Sequence, residues 1–424
     1  MKKLSFLLFL GLVLRLLLSI QFYSGDINNH ISWGVDILVN GPSGIYDKEF
    51  YFRYGTLTPN YPPLILLFFT IVAALYNLFF NLSWWLNENI GLFPSNIIFL
   101  FQNPNLLPAF FKLPAILADI GIAYFIYKFS RQFIKSEKWS LIASSLVLFN
   151  PAFFYNSSLW GQVEAVPTFF VLATFYSLLY SKKSSIASLL FILALLSKQN
   201  AVVFAPIFAI IFIKKFGLKS TIKDLLVSLI FFWLVFFPFG DKNHLFFPFV
   251  TYWNKILVNS VSDYVTYHAF NIWILFVGNE RVHDSTTFLL NLSYQLSGYI
   301  LFGIVLLFTL WRVYKEKVDA FLSIYSITLV SFASFLFLTR LHERHFEPTL
   351  PFLLLVTLKK KLLPIFIFVS IFHFINLYHD WWAPRVDWLT LLLSDTNIIK
   401  IMVGITLTSF VFLAITFFKP QKSV

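Results

Sequence analysis

The sequence predicts an all-α integral membrane protein with about twelve transmembrane helices and two long outer loops. Three observations predict this class. Of the 424 residues 58% are hydrophobic and only 12% are charged. Apolar runs recur along the chain, and roughly twenty apolar residues suffice to span a bilayer. The loops between these runs are of two kinds, one basic and one that holds most of the acids. A water-soluble domain of this length needs more polar surface, so soluble enzyme classes are excluded.

The apolar runs define the candidate spans in chain order. They are 4–22, 109–128, 139–156, 163–180, 185–197, 200–213, 222–239, 288–311, 319–338, 346–358, 362–378 and 397–418. Three of them, 185–197, 200–213 and 346–358, are short, and we expect them to be tilted or to cross part of the membrane. The first run resembles a signal peptide. It lacks a clean small-x-small cleavage site and contains Arg15, so we interpret it as a retained helix.

The basic loops set the predicted orientation. Short cytoplasmic loops retain Lys and Arg, so Lys2 and Lys3 place the amino terminus inside. Alternation then places six basic segments inside: 129–138, 181–184, 214–221, 312–318, 359–361 and the tail. Both termini are therefore expected in the cytoplasm. A prokaryotic plasma membrane is the expected location, with the active face outside. The formal charge of +12 reflects these loops and does not indicate a nucleic-acid partner.

The run 63–80 is apolar enough to span but disturbs this count. If it spanned alone, 81–108 would be cytoplasmic, yet that stretch contains no Lys or Arg. We therefore predict that 63–80 lies on or dips into the outer face, and a hairpin with the apolar patch 97–101 is the alternative. The domain prediction follows. It comprises an N-terminal transmembrane module 1–240 with the first outer loop 23–108, a second outer loop 241–287 and a C-terminal module 288–424.

The titratable groups collect on the predicted outer face. The chain has no cysteine, which excludes disulfides and thiol nucleophiles. All eight histidines fall in the outer loops or at an adjacent helix end: His30, His244, His268, His283, His342, His345, His373 and His379. A protein that gathers its titratable groups on one membrane face is expected to carry out its chemistry there.

Asp26 is the leading catalytic candidate. It follows Gly25 directly after the first span, and a carboxylate at the membrane surface beside a cavity can act as a general base. The alternative is that Asp26 only caps the next helix. His30 and Trp33 follow it and are candidate substrate contacts. Tyr61 precedes two prolines that open the run 63–80, where proline is ordinary structure.

Cations outside the basic loops indicate an anion site. Lys198, followed by Gln199 between two short spans, breaks the charge rule, and anion binding is favoured over snorkelling. The segment from Arg340 to His345 is the densest cationic cluster on the same face. Arginine favours bidentate phosphate contacts, so Arg340, His342 and Arg344 are candidates for binding a phosphate. The alternatives are a salt-bridge knot around Glu343 and a metal at His342 and His345.

Further polar groups border the spans. Gln162 and Glu164 lie two residues apart and suit sugar or headgroup contacts, with an interfacial Trp anchor as the alternative. His268 and Asn271 belong to a polar-aromatic set in the second loop. Asp119 lies within a predicted span, where an ion costs about 2.5–3.5 kcal/mol, so it should face the interior and have a partner. The segment His379-Asp380-Trp381-Trp382 suits sugar stacking, but ordinary interfacial Trp is favoured there.

These motifs together resemble the GT-C glycosyltransferases, membrane enzymes that use a polyprenyl-phosphate sugar donor. The likeness is to the glucosyltransferases that build lipid-linked oligosaccharides and to bacterial mannosyltransferase-like relatives. The matching segments run in order along the chain. They are Gly25-Asp26 to Trp33, Tyr61-Pro-Pro-Leu64, Gly161-Gln162-Val-Glu164, Ser197-Lys198-Gln199 with Ala205-Pro206, Phe237-Pro238-Phe239, Tyr267 to Trp273, and His342-Glu343-Arg344 with Pro351. Glu164 and Arg344 depart from the commonest residues of the glucosyltransferase branch, which leaves the sugar and acceptor open.

The resemblance implies a function and a set of roles. It implies a hexosyltransferase, usually inverting, with Asp26 as catalytic base and the donor phosphate near Lys198 and residues 342–344. It also implies a GT-C-type bundle whose two outer loops carry surface or reentrant helices. The expected partners are a polyprenyl-phosphate sugar, an unidentified acceptor and membrane lipid. No cofactor or metal is assigned, although a divalent metal stays open. The alternatives are a flippase or transporter of lipid-linked sugars, and a surface-glycan polymerase or ligase.

Overall fold

The structure is a computed structural model that describes residues 2–50, 57–240, 245–258, 263–278 and 280–419. His244 lies outside the described residues. The described chain is almost entirely helical, and its only named strands are β1 (Thr287–Leu289) and β2 (Leu292–Ser293), which pair antiparallel. Ala, Leu, Ile and Phe fill the helices. The all-α class predicted from the sequence is confirmed for the described residues.

Eighteen α-helices follow one another in the described residues. The first nine are α1 (Lys2–Ser19), α2 (Asp26–Asn40), α3 (Pro63–Asn89), α4 (Asn96–Phe99), α5 (Leu106–Ile134), α6 (Glu137–Leu148), α7 (Pro151–Phe154), α8 (Ala165–Tyr180) and α9 (Ser184–Ser197). The others are α10 (Ala205–Phe236), α11 (Phe247–Thr251), α12 (Ile274–Val277), α13 (Tyr294–Lys315), α14 (Ala320–Phe337), α15 (Thr349–Lys360), α16 (Leu363–Asp380), α17 (Asp387–Leu393) and α18 (Thr396–Phe418). A π-helical segment, Tyr155–Trp160, continues α7. Short 3₁₀ segments lie at Gln199–Phe204 and Glu343–Phe346.

Seven of these helices in the described residues are long and apolar enough to cross a membrane. They are α3, α5, the stretch Gln199–Phe239 around α10, α13, α14, α16 and α18. The protein is therefore an all-α chain with the helices of a multi-pass membrane protein. The runs 200–213 and 222–239 form two helical stretches within α10, separated by a kink at Gly217, whose backbone has φ 79°. The Lys214 ammonium beside that kink binds three carbonyls near the end of α13, at Val313, Tyr314 and Glu316.

The helix α3 is longer than the run 63–80 that the sequence indicated. Pro63 occupies its first turn, and no further proline or glycine interrupts it before Asn89. Its first half packs in the core, where Ile65 and Phe69 are fully buried. Its second half exposes apolar side chains, including Leu78 and Trp85. The 27-residue helix meets the length of a span, while the exposed second half also suits contact with lipid.

A buried polar network ties the start of the chain to the centre of the bundle. Arg15 in α1 donates from Nε to Asp119 in α5 at 2.8 Å, and both side chains are fully buried. Ser157 donates to the same carboxylate at 2.6 Å. The prediction that Asp119 faces the interior with a partner is confirmed. Nearby, the Lys112 ammonium binds the carbonyls of Ser19, Phe22 and Ser158. These contacts fix the π-helical segment against α1 and α5.

Candidate functional site

The candidate site forms where helix ends and irregular segments meet. Asp26 begins α2 and Tyr61 precedes α3. Glu164 lies directly before α8, Lys198 lies between α9 and its following 3₁₀ turn, and Arg344 lies in the 3₁₀ segment after α14. Backbone groups at such ends lack partners within their own helix. The position of each end, and of its side chains, is set by how the helices pack against one another. Residues distant in sequence therefore converge on one volume.

Glu164 is the centre of a buried ion cluster. Its Oε1 atom accepts from the Lys198 ammonium and lies 3.3 Å from Nε of Arg344. Arg344 also donates from Nη1 to Glu343 at 2.8 Å. The Lys198 side chain is 3% exposed and that of Glu164 is fully buried. Lys198 therefore does not snorkel to solvent. We call Lys198 and Arg344 the cationic pair, since both meet one carboxylate oxygen.

Asp26 lies beside this cluster and is oriented by Gln162, whose amide donates to Oδ2 of Asp26. Gly161 makes this contact possible. Its φ is +93°, and a Cβ there would lie 2.6 Å from Cδ1 of Ile27 and 3.2 Å from Cε of Lys112. Glycine adopts this left-handed backbone without steric cost. Asp26 is partly exposed and lies within electrostatic reach of Arg344.

Aromatic rings form the wall between Asp26 and Lys198. His30 stacks on Phe69 with ring centroids 4.4 Å apart and contacts the rings of Trp33 and Tyr61. The Lys198 ammonium lies 4.9 Å from the centre of the Tyr61 ring. Burial lowers the pKa of His30 to about 4, so this imidazole is neutral near pH 7. The sequence-predicted substrate contacts in the first loop are thus assembled on one side of the site.

The cationic cluster read from the sequence is less charged than its composition indicates. Burial lowers the pKa of His345 to about 3 and holds that of His342 well below its ordinary value. Both imidazoles are therefore neutral at pH 7. Burial raises the pKa of Glu343 to about 7, and Arg344 opposes this shift. Arg344 and Lys198 consequently carry the positive charge, while His342 offers at most hydrogen bonds.

Two predicted site residues are engaged elsewhere. The Arg340 guanidinium donates to Asp284, from the second loop, through Nε at 2.7 Å and Nη2 at 3.1 Å. Asn271 uses its amide on the backbone, donating to the Leu338 carbonyl at 3.4 Å and accepting from Trp273 N at 3.2 Å. Both residues therefore stabilise the second loop against the end of α14.

Gln199 and His268 lie at the margins. Gln199 follows Lys198, and its Oε1 is buried without a hydrogen-bond partner among the described residues. The His268 ring is half-exposed, and its Nε2 lies 3.7 Å from Asp380. Backbone bridges join the second loop to the 3₁₀ segment, pairing Tyr267 and His268 with His342. The second loop is thereby attached to the cationic cluster.

Sequence reasoning did not include Glu347 or Trp160 among the site residues. Glu347 is fully buried and accepts from the Asn156 amide. Trp160 stacks on Trp381 with centroids 5.7 Å apart, and the Arg344 guanidinium lies 5.8 Å from the Trp160 ring. Glu347 follows Glu343 by four residues, and a second acid so close in sequence to Arg344 was the available signal.

An open cavity of about 450 Å³ adjoins the cluster. It is bounded by the second loop, the end of α16 and α17, and its lining includes His268 and Asp380. Asp380 is within electrostatic reach of both Arg344 and Asp26. Within the described ranges, no group of three or more His, Asp or Glu side chains is arranged to hold a metal ion. His342 and His345 contact each other through their rings, 5.5 Å apart, without that arrangement.

No protein-family model matches the chain, and a search of curated proteins finds no match.

Proposed function

We propose that this chain is a GT-C-type membrane glycosyltransferase. It moves a hexose of the mannose or glucose class from a polyprenyl-phosphate donor to a lipid, glycan or protein acceptor on the outer face. One observation carries the proposal. A carboxylate held by Gln162, Asp26, lies beside two cations that meet at Glu164. A base and a phosphate site in one partly dry volume are what group transfer from a phosphate donor requires.

The proposed reaction needs no general acid. Asp26 takes the proton from the acceptor hydroxyl as its oxygen forms a bond to the anomeric carbon. The bond from that carbon to the phosphate oxygen breaks on the opposite face, and the electron pair leaves with the prenyl phosphate. Lys198 and Arg344 stabilise the charge that accumulates on the leaving oxygen. Attack opposite the leaving group inverts the anomeric configuration.

Glu164 balances one of the two positive charges of the cationic pair before a donor is present. A donor phosphodiester therefore competes with or joins this carboxylate, and the pair is already positioned when it arrives. Preorganised charge of this kind avoids reorganisation during the reaction. The sugar is then surrounded by side chains of the same site, namely His30, Trp33, Tyr61, Gln162 and Glu164. Glu343 at pKa about 7 adjusts the charge available at Arg344.

The proposed membrane arrangement retains about twelve spans with both termini in the cytoplasm of a prokaryotic cell. The first outer loop, 23–108, carries α2 and α3, and the second, 241–287, carries α11 and α12. Both loops cover the site from outside. The N-terminal module 1–240 supplies Asp26, Glu164 and Lys198, and the C-terminal module 288–424 supplies Arg344.

A flippase or transporter of lipid-linked sugars is the second candidate, because it also needs cations for a lipid phosphate. It does not need a base beside them. A surface-glycan polymerase or ligase shares the donor chemistry and differs only in acceptor.

Purified full-length protein in vesicles separates these candidates. The vesicles contain a labelled short-chain prenyl-phosphate mannose or glucose, together with host membrane extract as acceptor source. We expect the labelled sugar to appear in a new glycosidic product. Free prenyl phosphate should be released in an amount equal to that product. Movement of intact donor across the vesicle membrane without bond cleavage would contradict the proposal and favour the transporter.

A further inference from the structure

The cavity beside the cluster joins two sequence segments that the donor chemistry does not use. Tyr264 and Tyr267 come from the second loop, and Trp382 comes from the aromatic segment after α16. Glu280 and Asp380 add carboxylates to the same lining. The Tyr267 ring packs 4.6 Å from His342, so the wall of the cavity is continuous with the cationic cluster.

The charge of the lining favours a neutral ligand over an anionic one. Two carboxylates, Glu280 and Asp380, face one guanidinium, Arg281. Burial lowers the pKa of His268, so its imidazole adds no charge near pH 7. The cavity therefore has a small excess of negative charge, the opposite of the donor-phosphate region. A region that favours an anion and a region that favours a neutral ligand thus lie next to each other.

The cavity lining offers both stacking faces and hydrogen-bond acceptors. Aromatic rings line the cavity together with the carboxylates of Glu280 and Asp380, while the hydroxyls of Thr266, Thr390 and Ser394 donate to backbone carbonyls. A neutral polyhydroxylated ligand matches such a surface, because its C–H faces pack on the rings while its hydroxyls donate to carboxylates. The volume of about 450 Å³ lies within the usual range of small-ligand sites.

We propose that this cavity binds the sugar residues of a neutral carbohydrate acceptor and delivers one hydroxyl toward Asp26. The inference rests on the proposed function and names the acceptor class for the same site. Asp380 marks the junction, since it lines the cavity, lies 3.7 Å from His268 and is within electrostatic reach of Asp26. The bound glycan can be lipid-linked or free of lipid, since both offer the same hydroxyls.

Binding of defined oligosaccharides to the full chain in lipid nanodiscs tests this without a transfer reaction. The probes are maltotriose and mannotriose, each free and as the octyl glycoside, measured by saturation-transfer NMR. We expect at least one trisaccharide to bind. Trp382→Ala and Glu280→Gln should each weaken it about tenfold, because a stacking face or a charge-assisted hydrogen bond is lost. Both positions are exposed, so folding should survive.

Trp388→Ala is the matched control, because Trp388 is an exposed tryptophan that does not line the cavity. Tighter binding of the octyl forms identifies a lipid-linked acceptor, and equal binding identifies a lipid-free glycan. No binding of any probe, or binding that both cavity variants leave unchanged, overturns the inference. Loss of saccharide binding in variants that still transfer hexose would overturn it alone. Saccharide binding without any transfer would contradict the proposed function and leave the cavity as a carbohydrate site.

Discussion

Removal of Lys198 is expected to weaken donor binding about 10- to 150-fold. Its ammonium meets the same Glu164 oxygen that lies 3.3 Å from Arg344 Nε. A phosphate at this position receives a charge-assisted contact from each cation, worth about 1.5–3 kcal/mol. Since 1.36 kcal/mol corresponds to tenfold, this range gives the expected loss. The loss should appear when the donor is titrated and be absent when the acceptor is titrated.

The loss of donor affinity must be separated from a loss of folding stability in this experiment. Lys198→Ala leaves Glu164 with a single cationic partner, and breaking a buried ion pair costs about 3–5 kcal/mol of stability. The combination with Glu164→Gln removes the stranded charge, so thermal unfolding should recover while donor affinity does not. Loss in Lys198→Ala and Arg344→Ala should be non-additive, because both cations act on one group. Arg344→Lys should recover part of the affinity.

The exposed Lys182 provides the control, because Lys182→Ala removes a lysine from a basic loop without touching the site. Donor titration by direct binding and by rate should agree. If Lys198→Ala and Arg344→Ala each leave donor affinity and rate unchanged, the phosphate is bound elsewhere. His345 would then be the next residue to test, since Arg340 is held by Asp284.

Three further results are expected. Gly161→Ala should abolish transfer and cost about 1–3 kcal/mol of stability, because its Cβ would press on Ile27. Gly217→Ala is the control, because Gly217 has φ +79° and open space around it. Equal loss of transfer in the two variants would refute the reasoning. Donor affinity should be higher at pH 6 than at pH 8, because Glu343 with a pKa of about 7 is then protonated and leaves Arg344 uncompensated; Glu343→Gln should remove this dependence, and an unchanged pH profile in that variant would assign it elsewhere. Single cysteines at Asn87 and Lys135, in a chain without native thiols, should be labelled from outside by an impermeant maleimide only at Asn87; labelling only at Lys135 would invert the topology.

The sign of the Glu343 effect on folding follows from the same pKa. Its value in the folded protein is raised above the ordinary value by burial. The proton-bound form is therefore favoured in the folded state, and its stabilising contribution is complete below about pH 4.5 and lost as pH rises through about 7. In the wild-type protein stability should decline from about pH 4.5 to about 7 and donor affinity should decline around pH 7, and neither decline should persist in Glu343→Gln.

Much of the helical layout could be predicted from hydropathy, because membrane helices are long and apolar. The interruption between the runs 200–213 and 222–239 was predictable too, because Gly217, with its non-helical backbone, lies in the basic segment 214–221 between them. The end of α3 at Asn89 was missed, because the polar residues near 81–89 reduce hydropathy without containing a helix breaker. Helix ends in a membrane protein depend on packing as well as on composition.

The site was predicted in part, for a physical reason. Asp26, Gln162, Glu164 and Lys198 were identifiable because each is a polar residue at the end of an apolar run. Their pairing was not, because a sequence does not state which helix ends meet. Arg340 shows the consequence: its position in a cationic segment indicated phosphate binding, while Asp284, from the second loop, occupies its guanidinium.

The charge state of the cluster also required the structure. The segment from Arg340 to His345 contains four potential cations, yet burial keeps His342 and His345 neutral. Histidine titrates near neutral pH only when solvent or a partner supports its charged form. Composition alone therefore overstates the positive charge of a buried segment.

The most direct test of the account is Asp26→Asn in purified protein. The variant retains the size and the Gln162 neighbour of the carboxylate but not its basicity, and general-base catalysis is worth about 10²–10⁴-fold. We predict unchanged thermal unfolding, donor binding within about twofold of wild type, and hexose transfer reduced by at least about 10²-fold. Transfer at the wild-type rate in Asp26→Asn would contradict the account.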